Sequence, residues 1–197
     1  MDDIVKAALA KWPNVPHCYG WLGLDARGNW YMRDDRAQAA GPFCGGPGLE
    51  PVRQAASKGS LLKHDKLIDF IQRNYESDES TGSSAKGQWF FQNGPQRVYV
   101  ELQATPFIWR VDAAPEFAVT AHTGQPARVQ RCVLDEHGRL YLETDVGFGL
   151  VHTLDMMHAA DAVEQGLWVP EEILAHDLPG RFGYVRSPAL LQEAPQK

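Results

Sequence analysis

Short alternating apolar segments separated by polar turns dominate the chain and predict a protein rich in β-hairpins. The pattern Leu-Asp-x-x-Gly-x-x-Tyr occurs twice, at residues 24–31 and 134–141. In such a turn, Asp accepts a hydrogen bond from its own backbone, and Gly supplies a positive φ. We therefore expect two equivalent hairpins and a duplicated architecture.

Apolar residues at helical spacing predict three covering helices, over residues 4–12, 61–75 and 156–165. Ser60 is expected to cap the second helix, which should pack across the first hairpin. A fourth, shorter helix is expected from 170–172, because proline and acidic residues suit a first helical turn.

The segment 76–87 is polar, rich in small residues and without periodicity, which predicts a linker and a domain boundary near residue 85. The chain would then consist of an N-terminal half, 1–85, and a β-rich C-terminal half, 86–197, with terminal helices. The predicted fold class is α+β, with two related halves built on antiparallel hairpin sheets.

Composition narrows the classes of partner. The net charge of −6 argues against a general nucleic-acid or anionic-membrane surface, which needs clustered Lys and Arg. Three widely spaced cysteines, Cys18, Cys44 and Cys132, favour neither a disulfide framework nor a CxxC zinc site. Together with the absence of a basic, apolar leader pattern, they predict a cytoplasmic protein.

The segment 152–158 contains ligand types that suit zinc or iron, at His152, Asp155 and His158. A small metal-assisted hydrolase using these residues is therefore one alternative function. Their i, i+3, i+6 spacing spreads the side chains around a helix, however, and Asp155 fits an N-cap better. On this reasoning we expect no cofactor and no catalytic residue.

Aromatic residues in predicted strands, with nearby cations, indicate a different kind of site. Trp89 and Trp109 lie in the β-rich region with Arg97, while Lys63 and His64 lie on the predicted helix between the halves. Aromatic faces and a guanidinium group are typical of a pocket for a nucleotide-like or peptide ligand. The competing interpretation is that aromatic residues in strands simply belong to the core.

The segments Gly59 to Leu67, Gln88 to Phe107 and Leu140 to Gly147 resemble an uncharacterised proteobacterial family of unknown function. Residues 14–170 are also distantly similar to a domain-of-unknown-function family with a duplicated α+β core and a pleckstrin-homology-like C-terminal half. That resemblance implies a pocket at the junction of the halves and a regulatory role.

The function expected from the sequence is thus unknown in detail. A cytosolic, non-catalytic ligand-binding or regulatory protein of the signalling type, with a site between its halves, is favoured over an enzyme. A protein-interaction module, in which an open sheet edge binds a partner chain, is the remaining alternative.

Overall fold

A computed structural model describes residues 2–12, 15–45, 50–79 and 86–193 and shows an α+β protein. The chain divides into two compact units, each with its own sheet. The first unit is drawn from Met1–Asp25, Asn29–Gln103 and Tyr184–Lys197, and the second from Ala26–Gly28 and Ala104–Gly183.

This division differs from the boundary expected near residue 85. The polar segment there connects two neighbouring, antiparallel strands of one sheet, which pair through Glu76 with Phe90 and Ser77 with Trp89. Residues 80–85 of that segment lie outside the described residues. A polar, aperiodic stretch marks a loop, and a loop within a hairpin has the same composition as a linker between domains.

The sheet of the first unit has six strands within the described residues. They are β1 (Cys18–Leu24), β2 (Trp30–Met32), β3 (Ser60–Leu61), β4 (Tyr75–Ser77), β5 (Trp89–Asn93) and β6 (Gln96–Leu102), in the spatial order β3-β2-β1-β6-β5-β4. The pairs close in sequence are antiparallel, whereas β1 and β6 pair in parallel. The sheet is therefore mixed, and not antiparallel throughout as the sequence predicts. Sequence patterns detect hairpins but give no signal for a parallel pairing between distant segments.

In the described part of this unit, four helices precede or interrupt the sheet: α1 (Asp3–Lys11), α2 (Asp35–Ala40), α3 (Pro51–Lys58) and α4 (Asp65–Arg73). The predicted start of α4 at Ser60 is wrong, because Ser60 pairs with Met32 in β3 at the edge of the sheet. His64 caps the helix instead, since its Nδ1 accepts a hydrogen bond from the Leu67 amide at 3.2 Å. The helix packs on the sheet, where the rings of Phe70 and Phe91 meet edge to face.

The repeated hairpin is confirmed at both sites. In the first, Asp25 Oδ1 accepts from the Asn29 amide at 2.9 Å, and Gly28 has φ +80°. In the second, Asp135 Oδ1 accepts from the Arg139 amide at 2.9 Å, and Gly138 has φ +70°. The two turns therefore use Asp and Gly in the same way, as the sequence predicts.

The second unit consists of residues 104–183 together with the turn residues 26–28. All of these residues are described, and they contain a seven-stranded sheet. Its strands are β7 (Phe107–Val111), β8 (Val119–Ala121), β9 (Pro126–Ala127), β10 (Val129–Leu134), β11 (Leu140–Thr144), β12 (Phe148–Val151) and β13 (Pro170–Glu172), in the order β13-β10-β11-β12-β7-β8-β9.

Helices α5 (Met156–Glu164) and α6 (Leu178–Phe182) complete the second unit, and α5 confirms the predicted helix at 156–165. The short helix expected from residue 170 is wrong: this segment is β13, which pairs in parallel with β10 through Pro170 and Cys132. Proline lacks a backbone N–H donor, and the first residue of a strand tolerates this loss just as the first turn of a helix does. The local sequence therefore fits both structures. A pleckstrin-homology-like character for this unit stays a prediction.

After the second unit the chain returns to the first, to which α7 (Pro188–Glu193) belongs. No helix among the residues described has the length and apolarity needed to cross a bilayer.

Candidate functional site

Trp109 was expected to line a ligand pocket, but the structure places it in the core of the second unit. Its side chain is fully buried, its ring stacks on Phe107, and its Nε1 donates to the Leu142 carbonyl at 3.0 Å. The pocket role is therefore wrong for Trp109. Strand β7 lies between two neighbours in the sheet, so its large side chains are used to fill the core.

Arg97 is held by a buried carboxylate in the first unit. Its Nη1 lies 2.6 Å from Asp78 Oδ2, which also accepts from the Tyr99 hydroxyl at 2.8 Å. The guanidinium lies over the ring of Phe90, and the ring of Tyr19 stacks on Tyr99 at 4.6 Å. This arrangement neutralises both charges and satisfies a buried acid, so Arg97 has a structural partner of its own.

The other three predicted ligand residues also belong to the first unit. Lys63 and His64 are exposed at the start of α4, where His64 serves as the cap. Trp89 is half-buried in β5 and packs against Tyr75 with ring centroids 4.9 Å apart. A ligand role for Lys63, His64 and Trp89 stays a prediction.

The segment with the expected metal ligands is organised by an ion pair. Asp155 Oδ2 lies 2.5 Å from Arg110 Nε and accepts from the Val111 amide at 3.1 Å. Burial alone would raise the pKa of Asp155, but these hydrogen bonds and the Arg110 charge lower it below its ordinary value. His158 Nδ1 donates to the Val111 carbonyl at 2.8 Å, and His152 Nδ1 accepts from the Leu154 amide.

These bonds direct the three side chains of this segment to separate partners. Across the residues that the structure describes, no group of three His, Cys, Asp or Glu side chains is arranged to hold a metal ion. Asp155 does lie at the N-cap position of α5, but its carboxylate bonds Arg110 rather than the helix amides.

The three cysteines are free thiols that differ in their surroundings. Burial raises the pKa of Cys44 and of Cys132 to about 11 in each case. The thiol of Cys44 donates to the Leu102 carbonyl at 2.9 Å. Both groups therefore stay protonated at neutral pH, which makes them poor nucleophiles. Cys18 lies half-buried in β1.

Several surface cavities are bordered by charges that already have partners. In a cavity of about 370 Å³ in the second unit, Asp135 accepts from Tyr141, and Glu136 accepts from the Ala175 amide. In a cavity of about 250 Å³ in the same unit, Arg131 pairs with Glu171. These side chains stabilise the unit itself and are not available to a ligand without breaking existing bonds.

A polar cavity of about 170 Å³ in the first unit has the same character. Arg33 forms part of its wall, and its guanidinium is buried. It donates to the carbonyls of Ser57, Gly20 and Gly41 at 2.8, 2.8 and 2.6 Å. Arg33 thus joins β1 to the segments around α2 and α3, which is a structural role.

A second cavity of about 170 Å³ in the first unit is different, because its wall is almost entirely apolar. It lies between α4 and the face of the sheet formed by β1, β2, β5 and β6. The residues that line it are Cys18, Trp21, Leu22, Met32, Leu67, Ile71, Phe91, Asn93 and Val98.

Local structure explains why these side chains converge. Strand alternation puts residues that pair across the ladder on the same face, as Leu22 does with Met32, and Phe91 with Val98. From α4, Leu67 reaches the cavity together with Ile71, one helical turn further on. Side chains from one face of the sheet and from one side of α4 therefore line the same apolar space.

Two large apolar side chains of this wall remain in contact with water. Trp21 is 42% exposed and Met32 is 46% exposed, so they border the opening of the cavity. A void of similar size lined by Leu, Ile and Phe, about 150 Å³ in an engineered cavity of another protein, stays dry and binds benzene. The arrangement can therefore accommodate one ring-sized apolar group.

Sequence reasoning missed this site. Its lining positions, such as Leu22, Leu67 and Val98, look like ordinary core residues in the sequence. The signal is geometric: the helix and the sheet leave a gap that these side chains line without filling it.

Comparison with known proteins gives a family but no activity. The profile of the family DUF2944, described as "Protein of unknown function (DUF2946)", matches residues 1–189. No curated protein matches the chain. A solved structure of a DUF1285 family protein from Silicibacter pomeroyi DSS-3 matches with a TM-score of 0.47 and 13% identity, over 82% of this chain and 84% of that one.

Proposed function

The chain belongs to the DUF2944 family, a family of unknown function, and we propose that it is a non-catalytic binding protein whose first unit takes up a ring-sized apolar group. One observation carries the proposal: the apolar cavity under α4 opens between Trp21 and Met32, which the fold leaves exposed. Large exposed apolar side chains beside a concave apolar wall are typical of a binding site.

The ionisable groups of the molecule support a non-catalytic role. Three of the buried acids, Asp78, Asp135 and Asp155, are each bound by an arginine and by a hydroxyl or amide donor. General acid–base catalysis requires a group that is poised to exchange a proton with substrate. Carboxylates held in ion pairs are instead kept charged and fixed.

Burial energy sets the expected affinity. Burying an apolar side chain as large as one ring contributes about 1.5–3 kcal/mol of free energy. A dissociation constant of 1 mM requires a binding free energy of about 4.1 kcal/mol. A lone ring should therefore bind on the order of millimolar or more weakly, with further contacts from Trp21 and Met32 strengthening binding of a larger ligand.

For location we propose the cytoplasm. The support is that the three cysteines are free thiols, one of them buried and two half-buried, which fits a reducing compartment.

Thermal unfolding with indole as the probe tests the binding proposal. At ten times its dissociation constant, indole should stabilise the protein by about 1.4 kcal/mol, or raise Tm by roughly 3–6 °C. Leu67→Trp should abolish the shift, because the larger side chain occupies the cavity.

The matched control is Ile68→Trp, since Ile68 is the next residue of α4 and does not line the cavity. It should preserve the response to indole. Equal shifts in both variants, or none in the unmodified protein, would refute the proposed site.

A further inference from the structure

On the premise of the function proposed above, we propose that the group bound in the cavity under α4 is the flat, fused ring of an indole compound. The second unit carries such a ring covalently, as the side chain of Trp168. The internal duplication relates the two places, because it gives positions in the first sheet counterparts in the second.

The two units share the order of several neighbouring elements. In each unit an antiparallel strand, β3 or β12, pairs with the second strand of the repeated hairpin. A helix, α4 or α5, follows that strand in the chain. A later strand, β6 or β13, pairs in parallel with the first strand of the hairpin. These elements are therefore counterparts.

The strand pairings extend this equivalence to single residues. Leu22 and Cys132 each lie two residues before the Leu of the repeated turn, so they are counterparts. Leu22 pairs with Val100, and Cys132 pairs with Pro170. Val100 and Pro170 therefore occupy equivalent positions. Because side chains alternate along a strand, the residues two places before them correspond as well.

Those earlier residues are Val98 in the first unit and Trp168 in the second, which differ greatly in size. Val98 lines the cavity under α4. Trp168 is only 6% exposed, and it borders the same surface cavity of the second unit as Cys132. Its amide donates to the Ala162 carbonyl at 3.3 Å, directly after α5. The second unit thus buries an indole ring at the position where the first unit has a valine beside an open cavity.

The cavity suits a free indole compound. Val98 already occupies the backbone position that carries the ring in the second unit, so a ring must enter from solution, through the opening beside Trp21 and Met32. Trp21 and Phe91 are aromatic members of the wall, and contacts between aromatic rings contribute more than burial alone. The wall offers almost no hydrogen-bonding surface, and the one polar group of indole, its N–H, can stay in water at the opening.

Titration with two probe compounds, followed by thermal unfolding, tests the class of ligand. Indole and cyclooctanol have the same number of non-hydrogen atoms, but only indole is flat and aromatic. Indole should bind about two- to tenfold more tightly than cyclooctanol, because it adds ring contacts to burial. Equal affinities, or tighter binding of cyclooctanol, would overturn the indole inference.

The variant Val98→Trp tests the equivalence of the two units. It gives the first unit the residue that the second unit has, so the new ring should fill the cavity, raise Tm and abolish the response to indole. Val100→Trp is the matched control: Val100 is fully buried in the same strand but does not line the cavity, so overpacking should lower Tm. A Tm for Val98→Trp that falls as far as that of the control would contradict the equivalence.

The outcomes distinguish the two proposals. Preference for indole, together with a stabilised Val98→Trp that no longer responds to it, supports the indole inference. Binding of both probes without preference, or a destabilised Val98→Trp, overturns that inference and leaves the cavity as a general apolar site. Failure of the unmodified protein to bind indole overturns the proposed function together with it.

Discussion

At the scale of single residues, the clearest feature is how buried charges are used. Arg33, Asp78, Asp135 and Asp155 each make several short hydrogen bonds, and each joins segments that are distant in sequence or turns the chain sharply. The sequence shows these residues as charges, but it does not show that they are buried. Their partners could not be predicted, because pairing across a sheet depends on tertiary contacts.

Asp155 should make stability depend on pH in a defined way. Its pKa is lower in the folded protein than its ordinary value, so its contribution is complete above about pH 4 and is lost as pH falls towards the folded pKa. Asp155→Asn should therefore cost about 1.5–3 kcal/mol at pH 7 and much less at pH 3.

Urea unfolding of the two proteins at both pH values measures this difference. Asp112→Asn, at an exposed position after β7, serves as the control and should cost little at either pH. A penalty for Asp155→Asn that is the same at pH 7 and pH 3 would contradict the ion pair with Arg110.

Thiol labelling gives a second prediction at this scale. At pH 8 a maleimide should modify Cys18 well before Cys44 or Cys132, because burial raises the pKa of the last two to about 11. Since Cys18 lines the cavity, indole should slow its labelling. Peptide mapping by mass spectrometry reports each site, and labelling of Cys44 as fast as that of Cys18 would be the contrary result.

At the scale of elements, local chemistry decided what the sequence could predict. The prediction of two hairpins is confirmed, because each turn is determined by an Asp and a Gly that lie within five residues of each other. The start of α4 and the nature of β13 were wrong, because tertiary pairing with Met32 and with β10 overrides local helix signals. The parallel pairings of β1 with β6 and β10 with β13 have no local signature.

The returning C-terminal segment is an element whose attachment can be tested. Glu101 Oε1 accepts from the Ala189 amide at 3.0 Å, its Oε2 accepts from the Ser187 hydroxyl, and Leu102 donates to the Arg186 carbonyl. Glu101→Ala removes a charged acceptor of two hydrogen bonds, each of which contributes about 1.5–3 kcal/mol.

We expect this variant to lose amide protection in 184–193 first, as measured by hydrogen exchange. Glu101→Gln retains one acceptor oxygen and should lose less. Unchanged protection of this segment in Glu101→Ala would show that other contacts hold α7 in place.

At the scale of the whole molecule, the duplicated hairpin occurs once in each sheet with the same immediate neighbours: a parallel strand beside its first strand (β6 or β13) and an antiparallel strand beside its second (β3 or β12). The outer strands of the two sheets differ. The α+β class and the two related halves follow from the sequence, because hairpin and helix patterns are local. The boundaries of the two units do not follow from the sequence, because the first unit is built from separate stretches of the chain.

A fragment covering 104–183 should fold by itself. It carries the seven strands of its sheet and buried residues such as Val111, Val133 and Leu142. Its small size makes it only marginally stable. Dispersed amide resonances and a cooperative thermal transition are the expected result, whereas an unfolded fragment would contradict its autonomy.

The central claim is that the cavity under α4 binds a ring-sized apolar group, and methyl NMR of methionine-labelled protein tests it most directly. Met32 lines the cavity, whereas Met156 and Met157 lie in α5 of the second unit. Titration with indole should shift the Met32 methyl resonance saturably, leave Met156 and Met157 in place, and have no effect in Leu67→Trp. A Met32 resonance that does not move, or that moves equally in Leu67→Trp, would contradict the account.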